Sequence, residues 1–411
     1  MSAAAGTLAT VPSPLAYRDF RLLWASSLCS WAGQWIQQAA LGWVVYEITG
    51  SGALVGAVLG VRAIPMLLLT PMSGVAAVRR DRRRLMQASQ ALACAVSFAV
   101  GAALAAHAAN TWMLFGFTLL MGASNVMDRP ARMTAAFELV PREVATKAVA
   151  LNTIGFSLMR IFGPALAGYL IAVFGAAGCF FVQAVLYAAS ALVVIWVTFP
   201  SRHHAATHAS ALHAMREGLR FALDDRKIRM LLAIGALPFF LLVPVWGALL
   251  PIYAKDVFGA GPEGLGLLLT GVGVGGTLGG FIANGLARVE RQGLVQAAWI
   301  LTMCAAIAGL AASPSLGVAI ACAVAGGAAE MAHYASNAAA LQMLAPPAMR
   351  GRISSLLMLN PIFISLGAVV AGPLAEIAGV RTASFGLAAV AAAGVLCLYF
   401  ASSTLRQIRV K

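Results

Sequence analysis

The chain has 411 residues, of which 61% are hydrophobic and 10% charged, and a formal net charge of +14; its mean hydropathy is +0.87. That composition lies far outside the soluble range, and apolar runs without period-two alternation argue against a transmembrane β-barrel. The positive charge does not indicate nucleic acid, because the basic residues occupy short gaps between apolar runs, where they meet anionic lipid.

A bilayer core about 30 Å thick is crossed by roughly 20 apolar residues of helix, whose backbone groups must bond within their own segment. Twelve stretches meet that need: 20–48, 52–78, 85–106, 111–131, 146–174, 177–199, 230–257, 262–287, 293–312, 315–344, 353–378 and 381–403. The expected fold is therefore all-α and integral to the membrane. With the amino terminus placed inside, 24 of the 28 Lys and Arg residues fall on the inner side. By the positive-inside rule both termini are cytoplasmic. The first run follows Tyr17-Arg18-Asp19-Phe20-Arg21, is too long for a signal-peptide core, and is expected to be retained. All six cysteines lie in apolar spans without a C-x-x-C pair, as small buried hydrophobes rather than a disulfide framework.

One connection is long, 200–229, and divides the chain into a six-helix bundle over 1–199 and another over 230–411. Within it, Ser210 to Arg229 places Leu212, Met215, Leu219, Phe221 and Leu223 among charges, the pattern of an amphipathic helix on the inner membrane surface. Its histidines, His203, His204, His208 and His213, either sit in a solvated linker or bind a metal; no Cys or carboxylate joins them. The halves also resemble each other. Gly168-Tyr169-Leu170-Ile171-Ala172-Val173-Phe174-Gly175 matches Gly372-Pro373-Leu374-Ala375-Glu376-Ile377-Ala378-Gly379 at an offset of 204. Parallel six-helix repeats suit a transporter whose bundles rock about a midplane site.

Charges inside spans are functional candidates by default. Glu330, His333, Tyr334 and Asn337 share one face of the tenth span. A carboxyl group there suits a proton carrier, with His333 as partner or relay, or else Glu330 forms a fixed pair with an Arg or with His333. Arg160, mid-span in the fifth helix, can bind an anionic substrate group or pair with an acid. Arg62 lies about 15 Å along the second span at about 1.5 Å per residue, facing the cavity or snorkelling towards Glu47. In the first span Gln34 and Gln38 share a face, and Trp31 lies one turn before Trp35. These amides and indoles either hold a mixed polar and aromatic ligand, or Trp31 and Trp35 face lipid while the glutamines seal the bundle. Asp128, Arg129 and Arg132 stand at the inner end of the fourth span, next to the basic turn after helix 2, as a cytoplasmic gate network. The glycines at 271, 273, 275, 276, 279 and 280 are expected to pack the eighth helix against the fifth.

The chain resembles the major facilitator superfamily, specifically its enterobactin-exporter-like branch of transmembrane secretion effectors. The resemblance rests on Tyr17-Arg18-Asp19-Phe20-Arg21, Ala40-Leu41-Gly42-Trp43-Val44-Val45-Tyr46-Glu47 and Arg79-Arg80-Asp81-Arg82-Arg83-Arg84. It continues with Glu138-Leu139-Val140-Pro141-Arg142-Glu143, Ala150-Leu151-Asn152, Arg160-Ile161-Phe162-Gly163-Pro164-Ala165-Leu166-Ala167-Gly168 and Arg350-Gly351-Arg352. It implies two pseudo-symmetric six-helix bundles and a monomeric exporter of amphipathic small molecules, siderophores or drugs, in the bacterial inner membrane, driven by proton antiport without a cofactor. It also implies a gating role for Gly155, Gly163, Pro164 and Gly168, a loosened glycine-proline signature, although tight packing explains them equally. The family's loop after helix 2 reads Gly-x-x-x-Asp-Arg, whereas here Gly74 is followed by Val78 in the acidic position. Either the balance between inward-open and outward-open states is shifted, or Asp81, beside Arg82 and Arg83, takes part of that role in the gate.

No Walker loop, H-E-x-x-H motif or nucleophile-base set is present, which argues against an enzyme. The expected partners are a small-molecule substrate, protons and lipid. Uptake or uncoupled facilitated diffusion of a small organic solute is the second reading.

Overall fold

The computed structural model describes residues 12–70, 81–200, 211–286, 291–347 and 349–408. Among them nine helices are long and apolar enough to cross a membrane. One of these, Arg142–Trp196, is two helices that meet at Gly175, whose φ of 70° and ψ of 175° turn the chain. Two more, of 32 and 28 residues, are less apolar. Their glutamines and serines in one case, and Asp128, Arg129 and Arg132 in the other, lower the hydropathy without breaking the helix.

The twelve are α1 (Arg18–Thr49), α2 (Gly52–Thr70), α3 (Arg82–Ala105), α4 (Thr111–Glu138), α5 (142–174) and α6 (176–196) in the first half. The second half holds α7 (Arg226–Val257), α8 (Gly261–Gly285), α9 (Gln292–Ala312), α10 (Leu316–Leu344), α11 (Arg350–Ala378) and α12 (Val380–Ala401). Between them lies the linker helix Ala211–Asp224. In the first bundle α1 packs on α5 and α6, and α3 on α4 and α6; in the second, α8 and α9 pack on α10, and α9 on α12.

Several helices start or continue beyond the apolar runs. α4 extends to Glu138 instead of ending near 131, because Asp128 and Arg132 pair one turn apart and backbone bonding continues to the cap at Leu139. α7 starts at Arg226 rather than 230. Asp225 caps it, accepting from the Lys227 and Ile228 amides at 2.8 and 3.0 Å. The surface helix expected to reach Arg229 therefore stops at Asp224, and Arg226, Lys227 and Arg229 belong to α7. Hydropathy marks the lipid-embedded length; caps and ion pairs set where the helix ends.

The bundles touch along two seams, α2 with α11 and α5 with α8. Both are made of glycines. A Cβ on Gly372 would lie 3.0 Å from Gly56 Cα, and one on Gly168 would lie 3.2 Å from Gly266 Cα. Only hydrogen on Cα permits such helix approach. The sequence match at offset 204 is thus a match of contacts: Gly372 meets α2 as Gly168 meets α8. The match extends to the chain reversals, since Gly379 (φ 82°) turns α11 into α12 as Gly175 turns α5 into α6.

Both seams occupy the half of the molecule away from the linker. Hydrogen bonds between the bundles among the described residues join Tyr46 to Asp256, Ser51 and Ala53 to Glu376, Thr270 to Ile161, and Arg160 to Glu330. None is on the linker side of the middle. The apolar core divides accordingly. One cluster runs through both bundles at the far end and on through the second bundle, while Phe20, Leu23, Leu85, Met86, Ala131, Val144 and Val194 form a separate core at the linker end of the first. The bundles are joined at the far end and separate towards the linker.

Candidate functional site

α5 carries Arg160 where the separation begins. Small residues bring its neighbours close: the Gly155 position is filled by Leu28, Trp31 and Trp24 of α1, and Trp35 lies against Gly163. On the other side the Arg160 backbone meets Gly273, and its guanidinium lies over Gly276. The eighth-helix glycines thus have two faces. Gly273 and Gly276 admit α5 as expected, while Gly271, Gly275 and Gly279, at spacings of four, admit α10.

Arg160 itself is nearly buried. Its guanidinium donates to Glu330 Oε1 at 3.3 Å across the bundle interface and stands 5.6 Å from the Trp35 ring centroid. A cation on an indole face in low dielectric is favourable by about 2 kcal/mol. Glu330 Oε2 is buried without a partner. The pair ties α5 to α10 through one carboxylate oxygen and leaves the other unpaired. Trp35 also packs edge-on against Phe156, centroids 5.6 Å apart, and Trp31 meets the same ring at 5.9 Å.

The other residues on the α10 face point elsewhere. His333 is buried beside Phe239 and the Gly235 backbone of α7. Asn337 donates to the Leu231 carbonyl of α7 at 2.9 Å, and Tyr334 stands edge-on to Phe239 with centroids 6.1 Å apart. With Leu232, Gly235, Leu357 and Asn360 they line a crevice of about 10 Å³ among α7, α10 and α11. Gln34 and Gln38 are half-buried on α1. Arg62 caps the first segment of α2, Gly52–Val61, and is half-buried.

The gate candidates form two groups within the first bundle. Arg82 forms a two-pronged ion pair with Glu138, tying α3 to α4, and Arg83 donates to the Val197 carbonyl at 2.7 Å. Asp81 is the α3 cap, accepting from the Arg83 amide at 2.9 Å. Deeper, Arg132 binds Asp128 at 2.6 Å, Ser26 at 2.9 Å, Ser27 at 3.3 Å and Ser190 at 2.9 Å, gathering α4, α1 and α6. Arg129, next in the chain, is exposed. Gly74 and Val78 lie outside the described residues, as do His203, His204 and His208.

Sequence reasoning missed the far-end fastening. Glu376, at the end of α11, accepts from Ser51 Oγ at 2.5 Å and the Ala53 amide at 2.9 Å, so a carboxylate from one bundle caps a helix of the other. Beside it Tyr46 donates to Asp256, and Lys255 stands 5.4 Å from the Tyr46 ring centroid. A signal was present: within the repeat, Glu376 stands where the first half has Ala172.

Known proteins agree with this architecture. The multidrug efflux pump Tap of Mycobacterium tuberculosis is 28% identical over 388 residues, covering 90% of each chain. The staphyloferrin A transporter of Staphylococcus aureus is 26% identical over 266 residues, 63% of this chain and 65% of that protein. Among solved structures, a variant of the nucleoside transporter NupG superposes with a TM-score of 0.78 at 14% identity, covering 93% of this chain and 100% of that one. A bacterial homologue of the lysosomal transporter Spinster gives 0.75 at 15% identity, covering 98% and 100%. The family model described as transmembrane secretion effector matches residues 9–409. With its two glycine-seamed bundles, the chain is a multi-pass membrane transporter belonging to the transmembrane secretion effector family of the major facilitator superfamily.

Proposed function

We propose that this transporter exports amphipathic small molecules, siderophore or drug-like, across a bacterial inner membrane by alternating access coupled to proton antiport. The observation that carries this reading is the Arg160–Glu330 pair, which bridges the bundles at the level where far-end closure gives way to the open linker end. The basic gaps support a cytoplasmic linker end by the positive-inside rule, and on that orientation the structure corresponds to the state that receives substrate from inside. The efflux named for Tap and for macrolide efflux protein A of Streptococcus pyogenes, 22% identical over 276 residues, supports the direction.

In this scheme Glu330 is charged when paired with Arg160, as a proton leaves towards the cytoplasm. Protonation from the outer side neutralises Glu330 and removes its attraction for Arg160. His333, one turn along α10 and beside the Gly235 backbone of α7, is the relay in this scheme. Gln34, Gln38, Trp35, Arg62, Arg160, Tyr334 and Asn337 belong to the substrate path. Asp81, Arg82, Arg83, Asp128, Arg129 and Arg132, with Gly74, serve the cytoplasmic gate. Of the helix 5 residues, Pro164 and Gly168 form the surface on which the α5–α8 seam opens and closes, while Gly155 and Gly163 seat α5 against α1.

The test is an efflux screen with siderophores and amphipathic drugs in a strain lacking its main pumps, followed by transport in proteoliposomes with an imposed pH gradient. Efflux should vanish when the gradient is collapsed. Glu330→Gln should lose gradient-driven efflux and retain substrate exchange. Normal pumping by Glu330→Gln would remove the coupling role, and inward accumulation in intact cells would reverse the direction.

A further inference from the structure

Three helices meet the Arg160 guanidinium, and they divide by bundle. α8 and α10 belong to the second. Gly276 of α8 leaves room for the planar group, since a Cβ there would lie 2.8 Å from its Nη1, and Glu330 Oε1 of α10 accepts from it at 3.3 Å. α1 belongs to the first bundle, as Arg160 itself does. It contributes Trp35, whose ring centroid lies 5.6 Å from the guanidinium carbon. When the bundles separate at the far end, Gly276 and Glu330 leave together and Trp35 stays.

The seat of Trp35 is built by α5. Phe156, Arg160 and Gly163 stand at spacings of four and three and so share one face of that helix. Phe156 meets the indole edge-on with centroids 5.6 Å apart. At Gly163 the bare backbone admits the stem of the same side chain, because a Cβ there would lie 2.5 Å from Trp35 Cβ. The indole is held by a ring on one side of Arg160 and by a glycine on the other, with its face under the arginine. The side chains of Arg160 and Glu330 are 10% and 13% exposed, so neutralising the carboxylate leaves a cation in low dielectric. Arginine cannot respond by giving up its proton. Of its three neighbours, only the indole face, which is negative, travels with it.

We infer that Trp35 is the positioning residue for the coupling cation: its ring holds Arg160 in place while Glu330 is neutral or displaced, ready for the carboxylate on its return. This rests on the coupling reading and deepens it. It also gives Gly163 a task, which is to admit the ring.

The test separates ring electrostatics from packing. Tryptophan carrying one, two or four ring fluorines is placed at position 35 of the full-length protein by nonsense suppression; fluorine draws electron density off the ring face and changes its shape little. Thermal unfolding in detergent is followed in three backgrounds: wild type, Glu330→Gln with its neutral side chain, and Glu330→Gln combined with Arg160→Met, where no cation remains. The melting temperature of Glu330→Gln should fall stepwise with fluorine number, by about 2–4 °C across the series. The fall should be smaller in wild-type protein, where Glu330 shares the charge, and absent in the double variant. A flat series in Glu330→Gln, an equal fall in wild type, or the same fall in the double variant overturns the inference. If Glu330→Gln does not fold, wild type and the double variant decide it: a fall in the first alone supports the inference, and any other result overturns it. Normal pumping by Glu330→Gln would end the coupling reading with the fluorine series still to be read, whereas a flat series ends this inference and leaves coupling standing.

Discussion

The far-end seam gives the sharpest quantitative test. In Gly56→Ala the new methyl would overlap the Ala368 carbonyl oxygen, stand 3.1 Å from its carbon, and lie 3.2 Å from Gly372 Cα. Those atoms are backbone, so no side chain can rotate away and the helices must separate. Overpacking of this kind costs about 1–3 kcal/mol. The cost falls on the conformer closed at the far end alone, because the seam is broken once α2 and α11 part. The equilibrium should therefore move towards the opposite conformer by about 5- to 150-fold. Spin labels at Arg142 and Met343, both exposed at the linker end on opposite bundles, would read this as growth of a short-distance population. Gly116→Ala, whose added methyl meets nothing within 4 Å, is the control and should leave distances unchanged. Unchanged distances in Gly56→Ala would refute the view that the glycine seam sets closure.

Further outcomes follow from the same contacts. Gly168→Ala, against Pro262 and Gly266 in the pseudo-equivalent seam, should shift the spin-label distances in the same direction. Glu376→Gln weakens the cap on α2 and should also increase the short-distance population, with little effect on thermal unfolding in detergent. Arg132→Met leaves Asp128 as an uncompensated buried charge and should lower stability by about 3–5 kcal/mol. Adding Asp128→Asn should recover part of that loss, measured by thermal unfolding.

Much of this was legible in the sequence. The apolar runs located the helices, and the offset of 204 located the equivalent seams and turns, because helix packing through glycine and a left-handed turn each demand a specific residue type. Linker-end helix limits were not legible from hydropathy, since α4 and α7 continue on ion pairs and caps. The α10 residues show the other limit. Spacing placed Glu330, His333, Tyr334 and Asn337 on one face, but that face meets both α5 and α7. Glu330 therefore reaches Arg160 across the interface, while Asn337 is held by Leu231 within its own bundle. A helical wheel gives direction around an axis; it does not say which neighbour stands there.

The two seams are alike in glycine and unlike in charge. At the α2–α11 seam the polar fastening is Glu376 on the amide end of α2, at the outer edge of the interface. At the α5–α8 seam it is interior: Thr270 on the Ile161 carbonyl at 3.0 Å, and Arg160 on Glu330 just beyond. Rocking the bundles apart at the far end must expose both glycine surfaces, which are apolar and pair equally well with lipid or side chains. It must also break both polar fastenings. An outer carboxylate meets water when released, whereas Arg160 and Glu330 lie in low dielectric and need a new partner as they part. On the proposed antiport, that difference puts energy coupling at the second seam: the symmetric glycines permit the motion, and the asymmetric buried pair is the element proposed to time it.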